Sequence, residues 1–169
     1  MPDRDSIVRD IQQRTRAIAL RLEQYIQRRM KNLDRIYTTA YNAIGTDVSP
    51  KDYAPDDLGC AESVSNMIQK ALPELRFPTA VSTYLLYAYL AQSPSFRPVN
   101  TPTPGCIIIS VTGTGNGVVK NGHVGIVGKE WIMSNDSRTG TWEANFQLSS
   151  WKRYYEAKGG MQTHYFTCA

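Results

Sequence analysis

The sequence predicts an α+β fold: an antiparallel sheet bearing a cysteine-carrying helix, preceded by one long N-terminal helix. Three observations point to it. Residues 6–44 contain no proline or glycine and repeat apolar side chains at helical spacing. Two shorter helical patterns follow, near 60–72 and 80–91. Beyond residue 105, short β-branched runs bounded by glycine take over, so helices and strands are segregated along the chain rather than alternating.

The long helix carries the stripe Ile7, Ile11, Ile18, Leu22, Tyr25/Ile26, Met30, Leu33, Ile36/Tyr37, Ala40/Tyr41, Ile44, and Gly45 is placed to end it. Ile11, Leu22, Leu33 and Ile44 recur every eleven residues, which keeps the stripe on one side of a nearly straight helix. Such a helix is roughly 55 to 60 Å long, whereas a compact domain built from the rest of the chain is roughly 36 Å across. Either the helix breaks, or part of the stripe packs on another chain, by self-association or in a larger assembly. The helix's basic residues Arg14, Arg21, Arg28, Arg29, Lys31 and Arg35 suit a solvated face or attraction to an anionic polymer such as teichoic acid, phospholipid or nucleic acid.

Charge supports the same division. Residues 1–45 hold nine Arg/Lys against five Asp/Glu, a balance of +4, and the remainder holds ten of each. The expected organisation is a basic amphipathic helix over 1–45 and a globular domain over 46–169. The 169-residue length suffices for one domain with a real core plus that appendage. No run of about eighteen apolar residues exists, so no membrane span is expected. Aromatic interleaving and nucleic-acid modules are absent, so no nucleic-acid partner is expected. The first residues lack the apolar stretch of a signal peptide. Synthesis in the cytoplasm is expected, with any outside target reached through lysis, a virus particle or a dedicated secretion system.

After a polar linker over 45–58, which contains Tyr53, the second helix opens on Cys60 and runs to Leu72, where Pro73 stops it. Backbone N–H groups and the dipole at a helix start favour a thiolate. A third helix over about 80–91 precedes an irregular connection over 92–105. Strands are then expected near 106–112, 122–128 and 130–135, with Gly113–Gly117 as a hairpin loop. The tail from Trp142 to Phe166 supplies one or two more strands and a packed Trp151–Tyr155 segment.

Three cysteines and two histidines make neither a disulfide framework nor a structural zinc site, and no metal or other cofactor is expected. Cys106 opens an apolar strand as a small buried residue; Cys168, near the C-terminus, is a bystander or an intermolecular thiol. Cys60 on a helix start and His123 on a later strand form the pairing that a thiol nucleophile and its base require. His164 is the alternative base. A base of this kind needs a third polar group, and Trp131-Ile-Met-Ser-Asn-Asp136 offers Ser134, Asn135 and Asp136, between which a one-residue change of register decides.

Cys60-Ala-x-x-Val64-Ser65, Pro104-Gly105-x-Ile107-Ile108-Ile109 and Gly122-His123-Val124-Gly125-Ile126-Val127 together resemble the papain-like cell-wall cysteine hydrolases of the CHAP and NlpC type. The resemblance covers roughly residues 50 to 155, with Cys106 where that family usually has aspartate. It implies a papain-like fold, with Cys60 as nucleophile and His123 as base. Asn135, twelve residues after the histidine, becomes the orienting group, with Asp136 as its alternative. It also implies cleavage of an amide in bacterial peptidoglycan, as in a phage lysin or virion-associated hydrolase, with Tyr53, Trp131 and Trp142 as wall-binding aromatics. Two other readings stay open: a non-catalytic structural or attachment component of this fold, and a secreted thiol effector acting on another amide.

Overall fold

The computed structural model describes residues 3–49, 59–112 and 121–169. It is α+β, with a long N-terminal helix and a six-stranded antiparallel sheet. In chain order the elements are α1 (Arg4–Asn42), α2 (Cys60–Ala71), a 3₁₀ turn (Pro73–Leu75), α3 (Thr83–Gln92), β1 (Phe96–Val99), β2 (Ile107–Ser110), β3 (His123–Val127), β4 (Ile132–Asn135), β5 (Trp142–Phe146), α4 (Leu148–Trp151) continuing as a π-helix (Lys152–Lys158), and β6 (Thr163–Cys168). The chain divides into two compact units, residues 1–31 and 32–169.

In the first unit the Ser6 N–H donates to Asp3 Oδ1 at 2.8 Å, and Arg14 pairs with Asp10 at 2.9 Å one turn away. The apolar stripe is exposed there: Ile7, Ile11, Ile18 and Leu22 lie between 47% and 65% accessible.

In the second unit the strands run in the order β1-β6-β2-β3-β4-β5. Period-two alternation gives the sheet two buried faces. Ile107, Ile109, Val124, Ile126, Met133, Trp142 and Phe166 meet α2, α3 and the end of α1 (Ile36, Ala40) in an aliphatic layer. Ile108, Ile132 and Tyr165 meet Trp151, Tyr155 and Met161 in an aromatic one. A strand covered on both sides reads as the unbroken apolar run Ile107-Ile108-Ile109. The end of α1 is stitched to β5 by Trp142 Nε1–H donating to Ala40 O at 3.0 Å and Gly45 N–H donating to Trp142 O at 2.8 Å. A Cβ on Gly105 would lie 2.2 Å from Leu33 O, so only glycine lets the turn before β2 sit against this helix end.

Two expectations are corrected here. The connection over 92–105 contains strand β1, a four-residue sheet edge pairing only with β6, where Pro98 is tolerated. Cys168 is no intermolecular thiol: it is 1% accessible inside β6, and Asn32 Nδ2 donates to its Sγ at 3.6 Å. Cys106 is buried. Among the described residues no helix is long and apolar enough to cross a membrane. The loop expected at Gly113–Gly117 lies outside the described residues.

Candidate active site

Cys60 is the first residue of α2, following Gly59, where backbone N–H groups have no acceptor within the helix. Its Sγ faces the N–H of Val124 and those of Ala61 and Cys60 itself. Burial outweighs these donors and pushes the thiol up to about 11. The resting group is therefore a neutral thiol rather than the thiolate that helix polarity alone favours. α2 brings it there on the aliphatic side of the sheet, with Ala61, Val64 and Ile68 fully buried beneath it.

The residue before Val124 is His123, at the start of β3 and opposite Ser110 in the ladder. One strand end thus supplies a donor to the sulfur and the imidazole. The ring stacks on Trp151 at 5.5 Å and 29° and on Tyr155 at 5.9 Å and 17°. Trp151 is itself fixed by Nε1–H donating to Ser110 Oγ at 3.1 Å. This aromatic surrounding disfavours the imidazolium and pushes His123 down to about 4; the Asp136 carboxylate opposes the shift more weakly.

His123 Nε2 lies 2.9 Å from Ser134 Oγ, and Ser134 donates its hydroxyl proton to Asn145 Oδ1 at 2.7 Å. A serine has one proton. With that proton given to Asn145, Ser134 accepts from His123, so the neutral ring carries its hydrogen on Nε2 and its lone pair on Nδ1. Gly125 makes this approach feasible, because a Cβ there would lie 2.7 Å from Met133 O and 3.2 Å from Ser134 Cβ.

Ser134, the neighbour of Asn135, therefore bonds the imidazole directly. Alternation along β4 puts Ser134 on the same face as His123, and turns Asn135 to the other face with Met133. Asn135 and Asp136 still line, with Cys60 and His123, one cleft of about 940 Å³ whose rim includes Tyr84, Arg138 and Tyr154. Asp136 is engaged by Arg138 at 3.0 Å, which holds its carboxyl below the usual range. His164, the alternative base, does not line the cleft and packs on Tyr87 at 4.8 Å. Trp142 is fully buried core, so it is no ligand-binding aromatic. Trp131 is exposed but belongs to a separate groove with Tyr37 and Tyr41. Tyr53 and the rest of the loop before Gly59 lie outside the described residues.

Asn145 and Tyr155 were not anticipated. For Asn145 the signal was only the alternating pattern of β5; for Tyr155 it was the aromatic density of 151–155. The π-helix that carries Tyr154 and Tyr155 is the kind of irregularity often found at functional sites. No protein-family model, curated protein or solved structure matches the chain.

Proposed function

We propose that this chain is a papain-like cysteine hydrolase of the CHAP and NlpC type that cleaves an amide bond in bacterial peptidoglycan. The observation that carries the reading is one cleft lined by a thiol at a helix start and an imidazole whose lone pair is directed to Nδ1 by the Ser134–Asn145 pair. Acyl transfer is the chemistry such a pair performs.

Both groups rest neutral, so His123 acts as a general base instead of a preformed imidazolium. Nδ1 takes the proton of Cys60 as Sγ bonds to the substrate carbonyl carbon, and the carbonyl π electrons move onto oxygen. The N–H groups at the start of α2 donate to that oxyanion. As the carbonyl re-forms, the C–N bond breaks and His123 returns the proton to the leaving amine, which gives a thioester. Water, deprotonated by His123, attacks the thioester, and the carboxylic product leaves as the thiol is restored. The Nε2–H bond to Ser134 keeps the ring aimed through both steps.

Purified sacculi from several bacteria, digested by wild type and Cys60→Ala, with mass spectrometry of the soluble products, test this. Fragments released by wild type alone, with a new amine on one side of each cut and a new carboxylate on the other, are the expected result. Absence of release from every wall would sink the peptidoglycan assignment.

A further inference from the structure

We infer that residues 4–31 dock along their length on an anionic lipid surface, lying in the headgroup plane without crossing the bilayer. The observations are independent of the thiol chemistry. Ile7, Val8, Ile11, Ile18, Leu22, Tyr25 and Ile26 are each between 37% and 65% accessible, although they fall within an arc of about 100° around one helix. Residues 33–42 of the same helix continue the arc in phase, and there Ile36 and Ala40 are fully buried. The stripe is thus built for burial, and its first seven turns are left uncovered.

Charge selects the occupant. Residues 4–31 hold eight Arg/Lys against three Asp/Glu, a balance of +5. Arg14, Arg21 and Arg28 recur every seven residues and so border one edge of the arc, next to Tyr25. A phenol at the border between apolar and basic flanks suits the headgroup level, where one end of the ring is apolar and the other wet. Arg29 falls inside the arc itself. In a seam between two copies its charge would be desolvated, whereas at a bilayer its stem lies on the acyl layer and its guanidinium reaches the phosphates. Two such helices side by side would also bring like charge to like charge. An apolar arc of this width with low overall hydrophobicity and a basic flank is the pattern of helices that lie in a membrane interface.

Co-sedimentation of the full chain with vesicles tests the inference, comparing equimolar phosphatidylglycerol/phosphatidylcholine with phosphatidylcholine alone. Binding to the anionic vesicles, weakened by added salt, is expected. The exposed double variant Ile18→Asp/Leu22→Asp should abolish it, and Arg14→Gln/Arg21→Gln/Arg28→Gln should weaken it about a hundredfold. Circular dichroism of each variant controls for helix loss. Equal binding to both vesicle types, or none to either, would overturn the inference. So would light scattering that shows a dimer dissolved by Ile18→Asp/Leu22→Asp, since a second copy would then be the occupant. Retention on sacculi with none on vesicles would assign the face to a wall polymer and equally overturn it. None of these outcomes depends on Cys60, so hydrolysis can fail while docking stands, or the reverse.

Discussion

The two faces of the sheet bury unequal layers, a large aliphatic one and a small aromatic one, and do different work. On one, aliphatic residues lock α2 in place and so fix the position of Cys60. On the other, Trp151, Tyr155 and Phe146 surround the His123 ring. The aliphatic face positions a group by its backbone; the aromatic face sets the electrostatics of a group by touching it. Both groups end up neutral, the thiol because it is buried at a helix start and the imidazole because flat apolar rings cover it. One face can therefore be damaged without the other, and each injury should have its own signature.

The largest expected effect is on the aromatic side. Trp151→Ala removes a fully buried indole and the donor to Ser110, and should lower unfolding free energy by about 3–5 kcal/mol in urea titrations. A loss below about 1 kcal/mol would mean that this layer does not hold the sheet.

Acid should act next most strongly. His123 is held at about 4 when folded, against about 6.5 in an unfolded chain. Between these values the unfolded chain binds the extra proton, so stability is fully present above about pH 6.5 and falls as pH drops toward 4, by about 3 kcal/mol. Urea midpoints measured across this window should show the slope in wild type and a much shallower one in His123→Phe, the remainder belonging to His164, which burial also pushes down. An identical slope in both would place the titrating group elsewhere.

The relay should matter to rate more than to folding. Ser134→Ala is expected to lower kcat at least about tenfold, about 1.4 kcal/mol of barrier, with KM little changed. Ser134→Thr, which keeps a hydroxyl, should recover most of it, and Asn145→Ala should cost less than Ser134→Ala. If Asn135→Ala proves the more damaging, the orienting role belongs to the amide.

The gentlest probe is alkylation of Cys60 by iodoacetamide. With the thiol held at about 11, its rate should be slow at pH 7 and climb about tenfold per pH unit. Fast modification at neutral pH, beyond that of a free thiol, would show that the helix start outweighs burial.

The same contrast explains what was legible in the sequence. Helical spacing from Cys60 to Leu72 and the Ile107–Ile109 run reported the aliphatic face directly, because long apolar runs and stripes leave periodic marks. Cys60 and His123 stood out as well, each preceded by a glycine. The third group was harder. Twelve residues separate His123 from Asn135 and eleven from Ser134, and only the pairing Ile126↔Met133 decides which side chain shares the histidine's face. Asn145 was out of reach for the same reason, since its role exists only through the β4–β5 register, which shifts between Ile132 and Met133. β1 escaped because a short edge strand containing proline looks like a loop until its partner is known.

The indole stacked on His123 has one further consequence, an optical one. Trp151 and Trp142 are sealed from water, whereas Trp131 is 44% accessible, so a dissolved quencher should silence mainly Trp131. With Trp131 and Trp142 replaced by phenylalanine, the remaining emission comes from a ring 5.5 Å from the imidazole. A protonated imidazole in that stack withdraws electron density from the excited indole and dims it. The light from Trp151 then follows the proton on His123, so the charge state of the proposed base can be watched in the intact protein without a substrate.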